Sequence, residues 1–495
     1  SKIEPSLCYG NITEVKTKPC QLRVTKEFNP REYRLGRLGN IPQAISRDVV
    51  EAVRKAFTRE VRSVVSASKD KLFDSVKAVY SFEEAVMGME GDRFINSVKR
   101  STSPGFPFIQ TPKMTTRKQI FGDDILSNLS TSQAIELKER VTHIIDKARQ
   151  GICLDHYFVD TLKDERKLKE KAHKTRLFSA GPLDYLIACK MYFNGPVALL
   201  QYNRNWSHVS VGTNPYSRDW GEIASSLLKK SRLMVAGDFE GFDASQHQMI
   251  LEAAGEVLIE LSRAELKASE EDLLVMRVLM SSSLCSLHIT SRDVYQWTHS
   301  LPSGHYLTAP INSIFVNLAF GIIWMNYIGG CSESIARSFW NECGIVAYGD
   351  DHIISVPPHR SDFNQLTIPK YFQSIGLSYT MEVKDALADR PFRRLEEILY
   401  LKRGFKRDDE GEWLAPLSLD TILETPMWMH QCPDSRKQTV ENLEWALKEL
   451  SLHDQQVWNQ WAPILWREEE RLNFFTTLTD QEEVRLICQS QNLEM

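Results

Sequence analysis

The sequence has no C-x-x-C pair and no cysteine–histidine cluster at zinc spacing among its nine cysteines. That argues against a structural zinc site, and scattered thiols suit a reducing, cytosolic setting better than a disulfide framework. No low-complexity tract or repeat of about 20–50 residues occurs, which argues against solenoids and disordered linkers. A Gly-Lys-Ser/Thr phosphate loop is missing, which speaks against an NTP-driven helicase. Ser303 has no nucleophile-elbow context, so a hydrolase has no support. There is no signal-peptide pattern. The most apolar stretch, 314–328, carries Asn317 and Asn326 and is too short and polar to span a bilayer, so a core helix is expected there. The chain begins at Ser1 rather than Met, as expected of a product released from a longer precursor or a trimmed chain.

What is present is an ordinary soluble composition, 42% apolar and 25% charged, over 495 residues. That length allows two or three domains or one large multi-lobed enzyme. The net charge of −5 conceals an uneven distribution. From Phe405 onward eight Lys/Arg face 18 Asp/Glu, and the remainder is net +5. An acidic tail thus masks a basic body suited to nucleic acid. Helical periodicity runs over 45–65 and 134–149, 232–237 reads as a buried strand, and 312–327 as a helix. Beyond Phe405 the pattern is helical and holds six of the 11 tryptophans. Ser435 to Gln438 resembles a capping box ahead of Leu443, Leu447 and Leu450 on one face. Trp458, Trp461, Leu465 and Trp466 continue a stripe expected to be core.

Tyr348-Gly349-Asp350-Asp351 lies between two apolar runs and reads as a hairpin with an acidic tip. A solvated turn is the plain alternative. Side-by-side carboxylates that stay ionised usually hold cations. Asp238 follows the 232–237 run directly, at the end of a strand, with Asp243 five residues on; capping of a strand-to-helix turn is the other reading of both. Convergence of Asp238 with Asp350 and Asp351 would supply oxygen ligands for two divalent ions of the Mg²⁺ type. The segment 163–176 holds seven Lys/Arg and three acidic residues, fitting either a phosphate channel or a solvated helix face.

Asp238-x4-Asp243, then Ser303-Gly304-x3-Thr308-x3-Asn312-Ser313, then Tyr348-Gly349-Asp350-Asp351 resembles motifs A, B and C of viral RNA-dependent RNA polymerases. The similarity is to the positive-strand, picornavirus-like group (Picornavirales), with a lean toward dicistrovirus-type insect viruses. Lys163-Asp164-Glu165 through Phe178 resembles motif F, Thr102-Ser103-Pro104-Gly105 motif G, Gly376 to Thr380 with Lys384 motif D, and Tyr400 to Phe405 motif E.

The resemblance implies an α+β, closed right-hand fold with fingers, an antiparallel palm sheet and a helical thumb. The expected division is fingers with part of the palm entry at 1–230, palm motif A at 231–250, a fingers/palm insertion at 251–295, palm motifs B–E at 296–404 and thumb at 405–495. It implies template-directed RNA synthesis with two Mg²⁺ or Mn²⁺ ions, Asp238 and Asp350 bridging them and Asp351 a weaker or outer ligand. Lys384 is implied as general acid for pyrophosphate, a solvated lysine being the alternative. Lys163, Lys174 and Arg176 are implied at the triphosphate, with Lys169 and Lys171 competing for one position. Asp243, Ser303 and Asn312 are implied at the ribose, supported by Thr308; a capping or core amide is the other reading of Asn312. Thr102 and Ser103 are implied on template RNA, Lys402 and Arg403 on the primer, and Gly304 in a moving loop that follows the RNA. The implied partners are RNA, NTPs and a small genome-linked protein primer, in cytoplasmic replication complexes of the host, with membranes reached through other proteins. The rival functions are a reverse transcriptase and a non-catalytic RNA-binding replication scaffold.

Overall fold

The computed structural model describes residues 1–68, 74–123, 128–383 and 386–493. Lys384 lies outside the described residues. Two four-stranded sheets organise the middle of the chain. The first has the order Tyr379–Met381, Met234–Phe239, Asp351–Ser355, Gly344–Tyr348, antiparallel throughout. Its strands are β-branched and apolar, with Val235, Val346, Ile353 and Ile354 buried. The second sheet is mixed: Leu177–Ala180, Tyr157–Leu162, Leu287–Thr290, Asp293–Gln296, with the middle pair parallel. It therefore joins the basic-run region to residues more than a hundred positions downstream.

The apolar stretch forms the helix Thr308–Ile328, ended by Gly329 in a left-handed conformation whose N–H bonds the Met325 carbonyl. By length and apolar composition this helix could cross a membrane, but it is the core helix that the sequence predicts. It packs among the helices Arg47–Ala67, Gln248–Glu265 and Glu333–Glu342 and against the strand Gly344–Tyr348. Asn317, a polar residue inside this core, is satisfied: its amide donates to the Ser313 and His208 carbonyls and accepts from Trp340 Nε1.

The C-terminal region is helical, with Ser435–Leu450, Gln455–Arg471 and Gln481–Leu493. Leu443, Leu447, Leu450, Trp458 and Leu465 are buried there, with Trp461 and Trp466 packed against them. The helix at 435 starts one residue earlier than the expected capping box: Asp434 is the N-cap and accepts from the Lys437 N–H. The core also takes in Cys8, Ile12 and Val15. Strand Ile3–Pro5 pairs with Trp428–His430, and Thr17–Pro19 pairs with Arg166–Leu168. The first twenty residues thus tie the basic run to the C-terminal helices, a link that local periodicity does not reveal.

Candidate active site

The antiparallel sheet gathers the three expected aspartates at one end. Its register pairs Ile353 with Ala236 and Asp351 with Tyr348. Continuing the first pairing by two residues brings Asp351 opposite Asp238, while Gly349 and Asp350 make the hairpin tip. Asp238 is the one exposed residue of an otherwise buried strand. Beside it, Gly237 has no room for a side chain, because Tyr379 crosses directly over its Cα.

The tip is held from below. Gly349, in a left-handed conformation, donates its N–H to Ser313 Oγ on the core helix at 2.8 Å. Buried His352 reaches the Asp350 carbonyl through Nδ1 at 2.7 Å and the Tyr379 hydroxyl through Nε2 at 2.9 Å. Burial lowers its pKa to about 4, so the ring is neutral at pH 7. A neutral ring that donates from Nδ1 must accept from Tyr379, which fixes the tautomer by the network.

The carboxylates repel one another. Asp350 is raised above the ordinary range, by crowding of the protein around it first and then by Asp238 and Asp243, with Arg176 opposing. Asp351 is pushed up to about 6, again by burial first, then by Asp350 and Asp238, with Lys402 opposing. Such a cluster is relieved by a hard cation, and its donors are all carboxylate oxygens, as Mg²⁺ or Mn²⁺ requires. Among the described residues no group of three or more His, Cys, Asp or Glu side chains is already drawn together at ligand spacing. The donor chemistry fits a divalent ion, and the geometry is that of an open site rather than a preformed cage.

A pocket beside the tip is lined by Asp243 and Ser303 together with Arg34, Arg37, Leu177 and Trp297. Asp243 sits on the turn Phe242–Ala244, directly after Gly241. Ser303 Oγ accepts the Ser179 N–H at 3.1 Å, leaving its own O–H to donate into the pocket. Asn312 is half-buried, and its Oδ1 accepts from Gln246 Nε2 at 2.8 Å, which leaves its amide N–H₂ as the donor end. Gln246 also accepts from the Leu301 N–H. It was not singled out in the sequence, where nothing marks a lone buried glutamine. Thr308 donates to the Pro302 and His305 carbonyls, so its hydroxyl braces the 303–307 loop and is not turned to the pocket.

The basic segment is not a helix face. It leaves strand Tyr157–Leu162 and returns through Leu177–Ala180. Lys163, Lys174 and Arg176 are exposed, as are Lys169 and Lys171 on the short turn between them. Lys163 is lowered by burial and by the charges of Arg176 and Lys402. Arg176 senses Asp243 and Asp350 but is paired with Glu165. Burial opposes the ionisation of Glu165, yet the Arg176 bonds overcome it and hold the carboxyl near about 2. That pairing, and the approach of Arg34 and Arg37 from the helix Pro30–Leu38, were not expected from the sequence.

Thr102, Ser103 and Gly304 line one groove with Lys99, Arg117 and Lys190. Gly304 leaves no space for a Cβ, which would strike the Ser179 carbonyl. Lys402 is exposed in a left-handed turn and shares a cleft with Asp351 and Glu382. Arg403, expected on primer RNA, is corrected. It is buried and donates to Glu449 at 2.9 Å twice, to the Ala415 carbonyl at 2.9 Å and to the Tyr216 hydroxyl at 2.8 Å. Of the two, only Lys402 lines the cleft.

Residues 43–464 match the family model described as viral RNA-dependent RNA polymerase. The chain is 35% identical over 483 residues to the replicase polyprotein of acute bee paralysis virus, covering 94% of this chain and 24% of that protein. It is 31% identical to the replicase polyprotein of Drosophila C virus, covering 93% of this chain and 27% of that one. The chain thus spans about a quarter of the length of these curated relatives. In fold it is similar to a sicinivirus 3Dpol RNA-dependent RNA polymerase, with a TM-score of 0.78 at 19% identity over 100% of this chain and 96% of that one. The α+β right-hand fold is therefore the architecture of this molecule, and the chain belongs to the viral RNA-dependent RNA polymerase family.

Proposed function

We propose that this chain copies RNA, joining a ribonucleoside triphosphate to the 3′ hydroxyl of an RNA or protein-linked primer under the direction of an RNA template. One observation carries the reading: Asp238, Asp350 and Asp351 meet at one end of the antiparallel sheet, beside a pocket bearing Asp243 and Ser303. Asp238 and Asp350 would hold two Mg²⁺ or Mn²⁺ ions, with Asp351 as an outer ligand; such ions would supply activation of the attacking hydroxyl and charge stabilisation at the leaving oxygen. Lys163, Lys174 and Arg176 neutralise and orient the triphosphate, Arg176 by exchanging Glu165 for phosphate oxygens. Asp243, the Ser303 hydroxyl and the Asn312 amide bond the ribose 2′ hydroxyl, which both donates and accepts. A deoxynucleotide leaves those groups unpaired, which is the source of sugar selection. Lys384 protonates pyrophosphate.

Thr102, Ser103 and the Gly304 loop track the template, and Lys402 the primer backbone. The fingers comprise 1–230 and, through strands 287–296, the insertion 251–295; the palm comprises 231–250 and 296–404; the thumb is 405–495. Priming by the tyrosine of a small genome-linked protein, and work in cytoplasmic replication complexes, complete the proposal. The test is extension of a primed RNA template with ribonucleotides and Mg²⁺ or Mn²⁺. Template-dependent extension by the parent and none by Asp350→Ala is expected. No extension by the parent, or equal extension by the variant, overturns the reading, and equal use of deoxynucleotides favours a reverse transcriptase.

A further inference from the structure

The mixed sheet contains a buried carboxylate to which the proposed chemistry assigns no part. Asp160, on strand Tyr157–Leu162, has a fully buried side chain and accepts three side-chain hydrogen bonds. Ser179 Oγ and His288 Nδ1 share its Oδ1 at 2.6 and 2.8 Å, and Thr290 Oγ1 donates to Oδ2 at 2.7 Å. A carboxylate removed from water costs several kcal/mol unless it is so satisfied, and hydrophobic residues of similar volume often serve stability as well. Fold stability does not by itself require a carboxylate at this place.

Two of its three partners lead to the same pocket. Ser179, pinned by its side chain to Asp160, donates its backbone N–H to Ser303 Oγ, and its carbonyl packs where Gly304 has no side chain. His288, also bonded by Ser286 at Nε2, lies flat between Phe158 and Trp297, 3.6 Å from the Trp297 ring centroid and within 6° of parallel. Trp297 is a wall of the pocket that holds Asp243 and Ser303. One buried carboxylate thus fixes both the hydroxyl and the wall.

We infer that Asp160 is a positioning residue for sugar selection: through Ser179 and through His288 and Trp297 it sets the Ser303 hydroxyl and the pocket width for a ribonucleotide. This rests on the RNA-copying reading. Rigid placement matters because a hydrogen bond donated to the 2′ hydroxyl rewards the ribonucleotide only if the donor is held in line before binding.

The experiment is single-nucleotide incorporation by the full chain on a primed RNA template, with the matched ribonucleotide and its 2′-deoxy counterpart, alongside melting temperatures. Asp160→Ala is expected to lower the ribose preference about tenfold, the size of one well-placed hydrogen bond. The loss should fall on KM for the ribonucleotide, with deoxynucleotide incorporation close to parental, and Asp160→Asn should keep most of the preference. Where Asp160→Ala does not fold, Ser179→Ala carries the test with a smaller loss in the same direction. A folded variant with parental preference, or an equal loss for both sugars, overturns the inference. Incorporation of neither sugar by the parent sinks the RNA-copying reading and this inference with it.

Discussion

The two four-stranded sheets each carry aspartate, and they treat it in opposite ways. On the mixed sheet Asp160 is fully buried and meets three side-chain donors. On the antiparallel sheet the Asp350 and Asp351 side chains reach the surface, and both are raised above the ordinary carboxylate range, first by the protein crowded around them and then by neighbouring acids. A carboxylate whose bonds are complete within the protein positions other groups. One left to face its own kind awaits a partner from outside the chain.

The largest break in this contrast comes from the exposed side. Asp350→Ala should lower incorporation by about a thousandfold or more, because the proposed chemistry loses a carboxylate that would hold its divalent ions. Its melting temperature should not fall, since a mutually repelling charge is lost. A large stability loss with retained activity would reverse the assignment.

Next in size is the clamp between the turn at Arg403 and the C-terminal helix Ser435–Leu450. Arg403→Ala leaves Glu449 buried without its cation, and such a break costs about 3–5 kcal/mol. Chemical denaturation followed by tryptophan fluorescence measures it, and a change below about 1 kcal/mol contradicts the clamp. Lys402→Ala, one residue away, should leave stability unchanged within about 0.5 kcal/mol. It should instead reduce the slope of log affinity for RNA against log salt by about one. An unchanged slope removes Lys402 from the RNA path.

The smallest effect is a pH dependence. Asp351 holds its proton more tightly folded than unfolded, so its stabilising contribution is fully present below the ordinary carboxylate range and is lost as pH rises through about 6. Metal-free protein should therefore melt progressively lower as pH climbs from about 4 to 6 relative to Asp351→Asn, which lacks the titration. Parallel curves for the two proteins would show that Asp351 is not raised.

Much of the site was legible in the sequence because it is local. The Gly349 turn between apolar runs and Asp238 at a strand end follow from alternation and turn chemistry over a few residues. The core helix was also visible, though it begins at Thr308, four residues before the apolar periodicity, because Thr308 and Pro310 suit a first turn. What was not legible depends on contacts distant in sequence. Asp160 meets Thr290, Gln246 meets Asn312, and Arg403 meets Glu449. The side of a turn that faces solvent is set by what packs on it, so Lys402 and Arg403 looked equivalent as a pair of cations. Arg34 and Arg37 belong to a helix with mostly polar residues, and only the return of the N-terminal segment across the pocket gives them a place.

The most direct measurement sets the two sheets against each other: incorporation of one matched ribonucleotide and of its 2′-deoxy counterpart by Asp350→Ala and Asp160→Ala. Asp350→Ala should lose both reactions, whereas Asp160→Ala should keep the chemistry with its preference for ribose lowered about tenfold. Retained incorporation by Asp350→Ala would contradict that expectation.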